Sequence, residues 1–273
     1  MNAFNHLICA FFDLVFYPFA SLNPLWGLVV TSVATGVMML FIFRCVSDQP
    51  GIRKIKNRIK ARIFELRLFG HDLGLMWESQ KDLCRDNLAY LKFSVKPMLL
   101  MIVPVGLIMI QSGVWFARHP IEAGTSAIVR IKFDDQAPFN ENFRLRVPEG
   151  IVIETPALRI PEEKEIDWRI KALKEGTYAL EFDSDSAMIG KTIIVDSRLA
   201  RLSLMRVSSN WLSQLLYPAE KSLPPGSGLD YIEVGYPTVS YHILGWKIHW
   251  LVIFFVISIA TGLILKAFFR IEM

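Results

Sequence analysis

At 273 residues, with 52% hydrophobic residues, 21% charged residues and a mean hydropathy of +0.35, the chain is too apolar for an ordinary soluble domain. Its formal net charge of +4 is small, so the placement of charge says more than its size. Charge is nearly absent from three stretches and dense between them, the layout of a membrane protein whose loops are themselves structured. Cys9, Cys45 and Cys84 lack the spacing of a metal site or a disulfide framework. The five histidines are scattered too, so neither a metal nor a cofactor is expected.

In chain order, Phe4 to Tyr17 is apolar but carries Asn5, His6 and Asp13 and has no basic start. A helix lying in the membrane interface fits this better than a cleaved signal sequence, with Asn23-Pro24 as the corner into a first span over Leu25 to Phe43. The basic loop from Arg44 follows. Ile52, Ile55, Ile59, Ile63, Leu66 and Leu68 keep one face apolar while Arg53, Lys54, Lys56, Arg58, Lys60 and Arg62 cover the rest. A second amphipathic helix carries Leu73, Met76, Leu83, Leu88 and Leu91, and Gly70 to Gly74 is the expected turn of an antiparallel, coiled-coil-like hairpin. A second span, about Met98 to Phe116, contains Pro104 and Gln111. A third, about Trp250 to Leu265, is flanked by Trp246, Lys247, Lys266 and Arg270.

Arg44 to Lys96 holds twelve Lys or Arg against six Asp or Glu, so the positive-inside rule places this loop and the C-terminus in the cytoplasm. The N-terminus and Arg118 to Gly245 then lie outside a cytoplasmic (inner) membrane. There the sequence period changes to two, over Ile128–Phe133, Phe143–Val147, Ile151–Ile153, Ile166–Ile170, Tyr178–Phe182 and Thr192–Val195, the pattern of a β-sandwich. Trp168 to Phe182 reads as two strands joined at Glu175-Gly176, similar to bacterial immunoglobulin-like modules. Beyond Val207 the pattern loosens, and Tyr231, Tyr236, Tyr241 and Trp246 suggest a segment skimming the outer interface.

The expected fold is thus three transmembrane helices with a helical hairpin, plus an all-β immunoglobulin-like sandwich. Its divisions are residues 1–24 (interfacial helix), 25–43 (first span), 44–97 (hairpin), 98–116 (second span), 117–208 (sandwich), 209–246 (interfacial return) and 247–273 (third span and tail).

Val30 to Arg44 can be laid on Val256 to Arg270 without a gap, with Val, Ser, Ala, Thr, Gly, Phe and Arg coinciding. Each segment carries Ser four residues before Gly, at Ser32 and Gly36 and at Ser258 and Gly262, a spacing that lets helices approach closely. Duplication explains the echo, and so does the small alphabet of apolar spans. On either account Ser32, Thr35, Ser258 and Thr261 are candidates for polar contacts inside the bundle.

An interfacial helix, a span opening with Trp26-Gly27-Leu28, a basic hairpin beginning Asp48-Gln49 and a return span near Lys96-Pro97 form one ordered pattern. In this the chain resembles the YidC/Oxa/Alb superfamily of membrane protein insertases. It is most similar to the short three-span branch, which includes the insertase-like subunit of the endoplasmic reticulum membrane complex and archaeal YidC-like proteins. The resemblance covers residues 1–115 and the last span, not the β domain. It implies a hydrophilic groove open to cytoplasm and lipid, and a hairpin that receives nascent membrane proteins or the ribosome. Many bacterial members place an arginine in the first core span, where this chain has Met38. A groove here would be polar through Thr31, Ser32, Thr35, Gln111, Ser258 and Thr261.

Two functions follow as expectations. One is an insertase-like or chaperone-like role in protein biogenesis, the basic hairpin holding phosphates of lipid or ribosomal RNA by unspecific electrostatics. The other is a membrane-anchored scaffold whose sandwich binds a protein partner. DNA is not an expected partner. An enzyme is not expected either, since Asp134, Asp135, Glu162, Glu163, Asp183 and Asp185 read as solvated turn acids, and Asp183 and Asp185 lack the ligand spacing of a calcium loop.

Overall fold

A computed structural model describes residues 2–19, 24–68, 73–140, 142–184, 187–243, 245–269 and 271. The chain divides into two compact units, residues 1–28 with 109–252 and residues 29–108 with 253–273. The division passes through three long helices rather than through loops.

The helices are α1 (Asn2–Phe16), α2 (Pro24–Val46), α3 (Gln49–Leu68), α4 (Leu73–Phe116), a short α5 (Trp211–Leu216) and α6 (Trp250–Phe269). Three of them, α2, the Met76–Phe116 part of α4, and α6, are long and apolar enough to cross a membrane. Pro24 opens α2 at the first helical position, where its missing N–H costs nothing. Asn23 and the centre of the expected turn at Gly70 lie outside the described residues, as do Asp185 and Arg270. Gly74 falls inside α4.

The sequence suggests a hairpin helix that ends before Pro97 and a separate span from Met98. Instead α4 is one helix of 44 residues with Pro97 and Pro104 inside it. Each proline removes one backbone donor, yet the helix continues through both. In the second unit Leu40 and Phe43 of α2, Ile52 of α3 and Ile271 form a buried cluster, against which Tyr90, Phe93 and Met101 of α4 and Leu265 of α6 pack.

Eleven strands lie among the described residues of the first unit: β1 (Ser126–Phe133), β2 (Arg144–Arg146), β3 (Ile151–Ile153), β4 (Leu158–Ile160), β5 (Glu165–Ala172), β6 (Gly176–Ser184), β7 (Ala187–Val195), β8 (Met205–Val207), β9 (Leu229–Val234), β10 (Tyr241–Ile243) and β11 (Trp246–Ile248). One sheet runs β3-β5-β1-β9-β8, with β4 also on β5; a second runs β2-β6-β7; β10 and β11 pair alone. All of these pairings are antiparallel. The period-two pattern is realised in burial. Val129, Ile131 and Phe133, with Ile166, Trp168 and Ile170 opposite, face a core shared with Leu180, Phe182, Ile189 and Ile193 of the second sheet. The alternate positions carry charge, Arg130 lying 3.0 Å from Asp167 and 3.3 Å from Glu165.

Three readings from the sequence change. β5 and β6 are consecutive but sit in different sheets, so Glu175-Gly176 carries the chain from one sheet to the other instead of closing a hairpin. The β domain does not end at 208, because β9 is an interior strand between β1 and β8. Leu229, Ile232 and Val234 bury while the Pro-Pro-Gly turn before them obscures the pattern. Tyr236 and Tyr241 are buried in this unit rather than spread on an interface, whereas Trp246 is exposed. Gly150, at φ +105°, has no substitute, since a Cβ there would lie 2.5 Å from the Tyr178 hydroxyl.

Candidate functional site

The small residues of the sequence echo meet. A Cβ on Gly36 would lie 2.5 Å from the backbone oxygen of Ser258 and 2.9 Å from Thr261 Cβ, so α2 and α6 touch where the glycine leaves room. Gly262 sits beside this contact, its Cβ position 4.0 Å from Gly36 O. Ser258 Oγ lies 3.0 Å from Ser32 O and 2.7 Å from Phe254 O, so its proton bridges the helices. Thr35 donates to Thr31 O at 2.7 Å and Thr261 to Ile257 O at 2.8 Å. Thr31, Ser32, Thr35 and Ser258 are buried. These candidates for a polar groove instead make a packed seam in which the Thr35, Ser258 and Thr261 hydroxyls bond to carbonyls.

Gln111 belongs to the other unit. Its Nε2 lies 3.5 Å from Cys9 Sγ, and Cys9 Sγ lies 3.5 Å from Pro218 O. The same face of α4 holds α1 through Phe16, whose ring is 5.9 Å from Trp115 and 5.3 Å from Phe116. Asp13, read from the sequence only as a polar interruption, accepts from Arg201 at 2.6 Å and ties α1 to the segment before β8. Gln111 Oε1, Ser112 Oγ and Trp115 Nε1 are buried without a hydrogen-bond partner.

The six basic hairpin residues separate by role. Arg58 pairs with Asp86 at 3.6 Å and Arg62 with Asp82 at 2.6 Å, which fastens α3 against α4, while Glu65 of α3 steadies Arg62 at 2.8 Å. Lys60 is exposed and Lys56 half-buried. Arg53 and Lys54 point the other way. With Arg44, Gln49, Pro50, Asn57, Lys266, Ala267, Phe269 and Ile271 they line an open cleft of about 1030 Å³. Helical spacing explains the split, because Pro50, Arg53, Lys54 and Asn57 share one face of α3 while Ile52 and Ile55 bury on the other. Asp48 does not line the cleft; its Oδ1 caps α3 by accepting from Gly51 N–H at 3.1 Å.

A further polar cluster lies inside the β domain. Lys191 is 1% exposed, and its ammonium donates to Ser203 O at 2.7 Å, to Ser203 Oγ at 2.6 Å and to Glu220. Glu220 also accepts from Ser203 Oγ at 2.6 Å and from Thr192 N–H at 2.8 Å. Burial alone would raise the Glu220 pKa, but the Lys191 charge and these hydrogen bonds outweigh it and hold the carboxyl below its ordinary value. A Ser–Lys pair suggests a nucleophile and its base; burial pulls the Lys191 pKa below its ordinary value against the opposing charge of Glu220, but Ser203 Oγ is itself hydrogen-bonded to Glu220, and every polar atom of the pair is taken up within the cluster. The cluster therefore reads as a structural lock joining β7, the segment before β8 and the segment after α5. Sequence carried one signal for it: Lys191 occupies an inward position of the alternating series Ile189, Lys191, Ile193, Val195.

Among the described residues no group of three or more His, Cys, Asp or Glu is placed to hold a metal ion. No family model matches the chain, and comparison with curated proteins and with solved structures likewise gives no match.

Proposed function

We propose that the chain is an insertase-like or chaperone-like factor of membrane protein biogenesis, with α2, α4 and α6 crossing the cytoplasmic membrane and the basic hairpin inside. The observation that supports this is the uneven covering of the apolar helices. On α6 the exposed residues Val252, Phe255, Val256, Ile259, Leu263 and Ile264 recur at helical spacing, one broad apolar side, with Ile253, Phe254 and Ser258 buried on the other. On α4, Met98, Leu99, Leu100, Ile102 and Val103 are each more than half exposed. Near-consecutive residues turn through every side of a helix, so only Met101 of this run packs on the rest of its unit. A span left open on several sides has room for an apolar segment of another protein, and methionines adapt to varied partners. The packed seam at Gly36 and Ser258 moves the receiving surface away from those residues and onto α4.

A photocrosslinking amino acid at Leu99 or Val103, compared with Ile259 or Leu263 on α6, tests this in cells. Nascent membrane proteins should be captured from α4 and not from α6. Equal capture from both helices, or none from α4, would overturn the proposal.

A second reading, a scaffold in which an immunoglobulin-like β-sandwich binds a partner, draws support from the β domain having its own core and the buried Lys191 lock. Such a domain is more than a linker between two spans needs. Removal of residues 126–234 should then abolish a specific co-purifying partner while leaving capture at α4 intact.

A further inference from the structure

We infer that the cleft at the start of α3 is a binding site for the headgroup of an anionic phospholipid. Arg44, Arg53, Lys54 and Lys266 line it, and among the described residues no acidic side chain does. Asp48, next to Gln49 in sequence, is turned to the α3 cap. Four cations gathered on one cleft match a phosphate, and two of them are arginines, whose planar fork suits phosphate oxygens. Gln49 and Asn57 add polar groups that suit glycerol hydroxyls.

The position chooses the source of that phosphate. Arg44 lies in the last turn of α2 and Lys266 in the last turn of α6, so both cations stand where apolar helices meet water. Phe269 and Ala267, exposed, and Ile271, buried, give the same cleft an apolar side on which acyl chains can lie. A free phosphate would use the cations and leave that side bare. At about 1030 Å³ the cleft is also larger than an inorganic phosphate needs. The occupant is thus a bilayer lipid with a negatively charged head, held by charge and by its tails. This depends on α2 and α6 lying in a bilayer and not on client capture by α4.

The test uses the full chain in nanodiscs of phosphatidylcholine with one fifth phosphatidylglycerol, with native mass spectrometry counting retained lipids. Phosphatidylglycerol should be retained preferentially. Arg53→Gln with Lys54→Gln should reduce that retention on the order of tenfold, while Lys81→Gln with Arg85→Gln, which removes equal charge from α4, should leave it within about twofold. Excess inorganic phosphate should not displace the lipid. Equal retention of both lipids, equal loss in the two double variants, or displacement by inorganic phosphate would each overturn the site. Failure of the chain to enter nanodiscs at all would overturn the membrane reading beneath it.

Discussion

Replacing Lys191 by Met separates a structural lock from a decorative ion pair. The ammonium is fully buried and its partner carboxylate is 16% exposed, so water replaces very little of what is lost. Removing one member of a buried pair costs about 3–5 kcal/mol, because the remaining charge is left in a medium of low polarity. Here Glu220 keeps Ser203 Oγ and the Thr192 N–H, and its slight exposure admits some solvent. Those residual partners place the expected cost at the lower end, about 3 kcal/mol, or roughly 150-fold in an opening equilibrium. Hydrogen exchange of β7 amides in the full chain, read by mass spectrometry, measures that opening locally without assuming that the whole chain unfolds as one. Glu220→Gln added to Lys191→Met keeps an acceptor for Thr192 while removing the orphan charge, and should recover most of the loss as a coupling of about 2 kcal/mol. If Lys191→Met changes β7 exchange by less than about fivefold, or the double variant exchanges as fast as the single one, the lock is not electrostatic.

Further outcomes follow from the same geometry. Because the Glu220 pKa is depressed on folding, its contribution is complete above the ordinary carboxylate pKa and is lost as pH falls through the lower folded value. β7 protection should therefore decline in acid in the wild type but stay flat in Lys191→Met/Glu220→Gln. Gly36→Ala puts a methyl 2.5 Å from a backbone oxygen, so α2 and α6 must separate, at about 1–3 kcal/mol in a detergent unfolding titration. Gly262→Ala, whose Cβ meets only an ordinary 4.0 Å contact, should cost much less. Tyr236→Phe removes the hydroxyl that accepts from Ile194 N–H at 3.1 Å, and should destabilise the β domain by about 1–3 kcal/mol in thermal denaturation. Arg201→Ala unties Asp13, and should raise alkylation of the buried Cys9 while leaving that of the exposed Cys45 unchanged.

What the sequence made legible was periodicity, and what it hid was pairing. Apolar runs and the basic series from Arg53 to Arg62 identify three long helices and a hairpin, because those signals are local. Strand β9 escaped because three inward residues after a Pro-Pro-Gly turn make too short a pattern to be told from a surface loop. Its place beside β1 is set by hydrogen bonds to a segment a hundred residues earlier. The small residues at Gly36 and Ser258 were visible as a spacing, but whether they line a groove or close a seam depends on which helix stands opposite. Lys191 shows the limit most sharply. A lysine at an inward position among isoleucines is legible as an anomaly, but its partners are not until Ser203 and Glu220, both distant along the chain, are brought to it.

The two units place different demands on this chain, and that difference explains where its polar groups went. In the β domain a charge could be buried because Thr192, Ser203 and Glu220 supply every donor and acceptor it needs. In α2 and α6 no such set exists, so the interior polarity is limited to hydroxyls that bond to carbonyls. The cations of the cleft stand at helix ends and on the hairpin, at Arg44, Arg53, Lys54 and Lys266, where water and phosphate can meet them. A chain that guides apolar segments by this arrangement would not carry them past a buried charge. It would offer the open side of α4 to the apolar segment and a fixed, lipid-occupied cleft beside it, so the lipid would set the local charge that a client's flanking residues encounter. Client capture at Leu99 should accordingly weaken when phosphatidylglycerol is withdrawn, and a capture yield indifferent to lipid charge would mean that the cleft and the helix act independently.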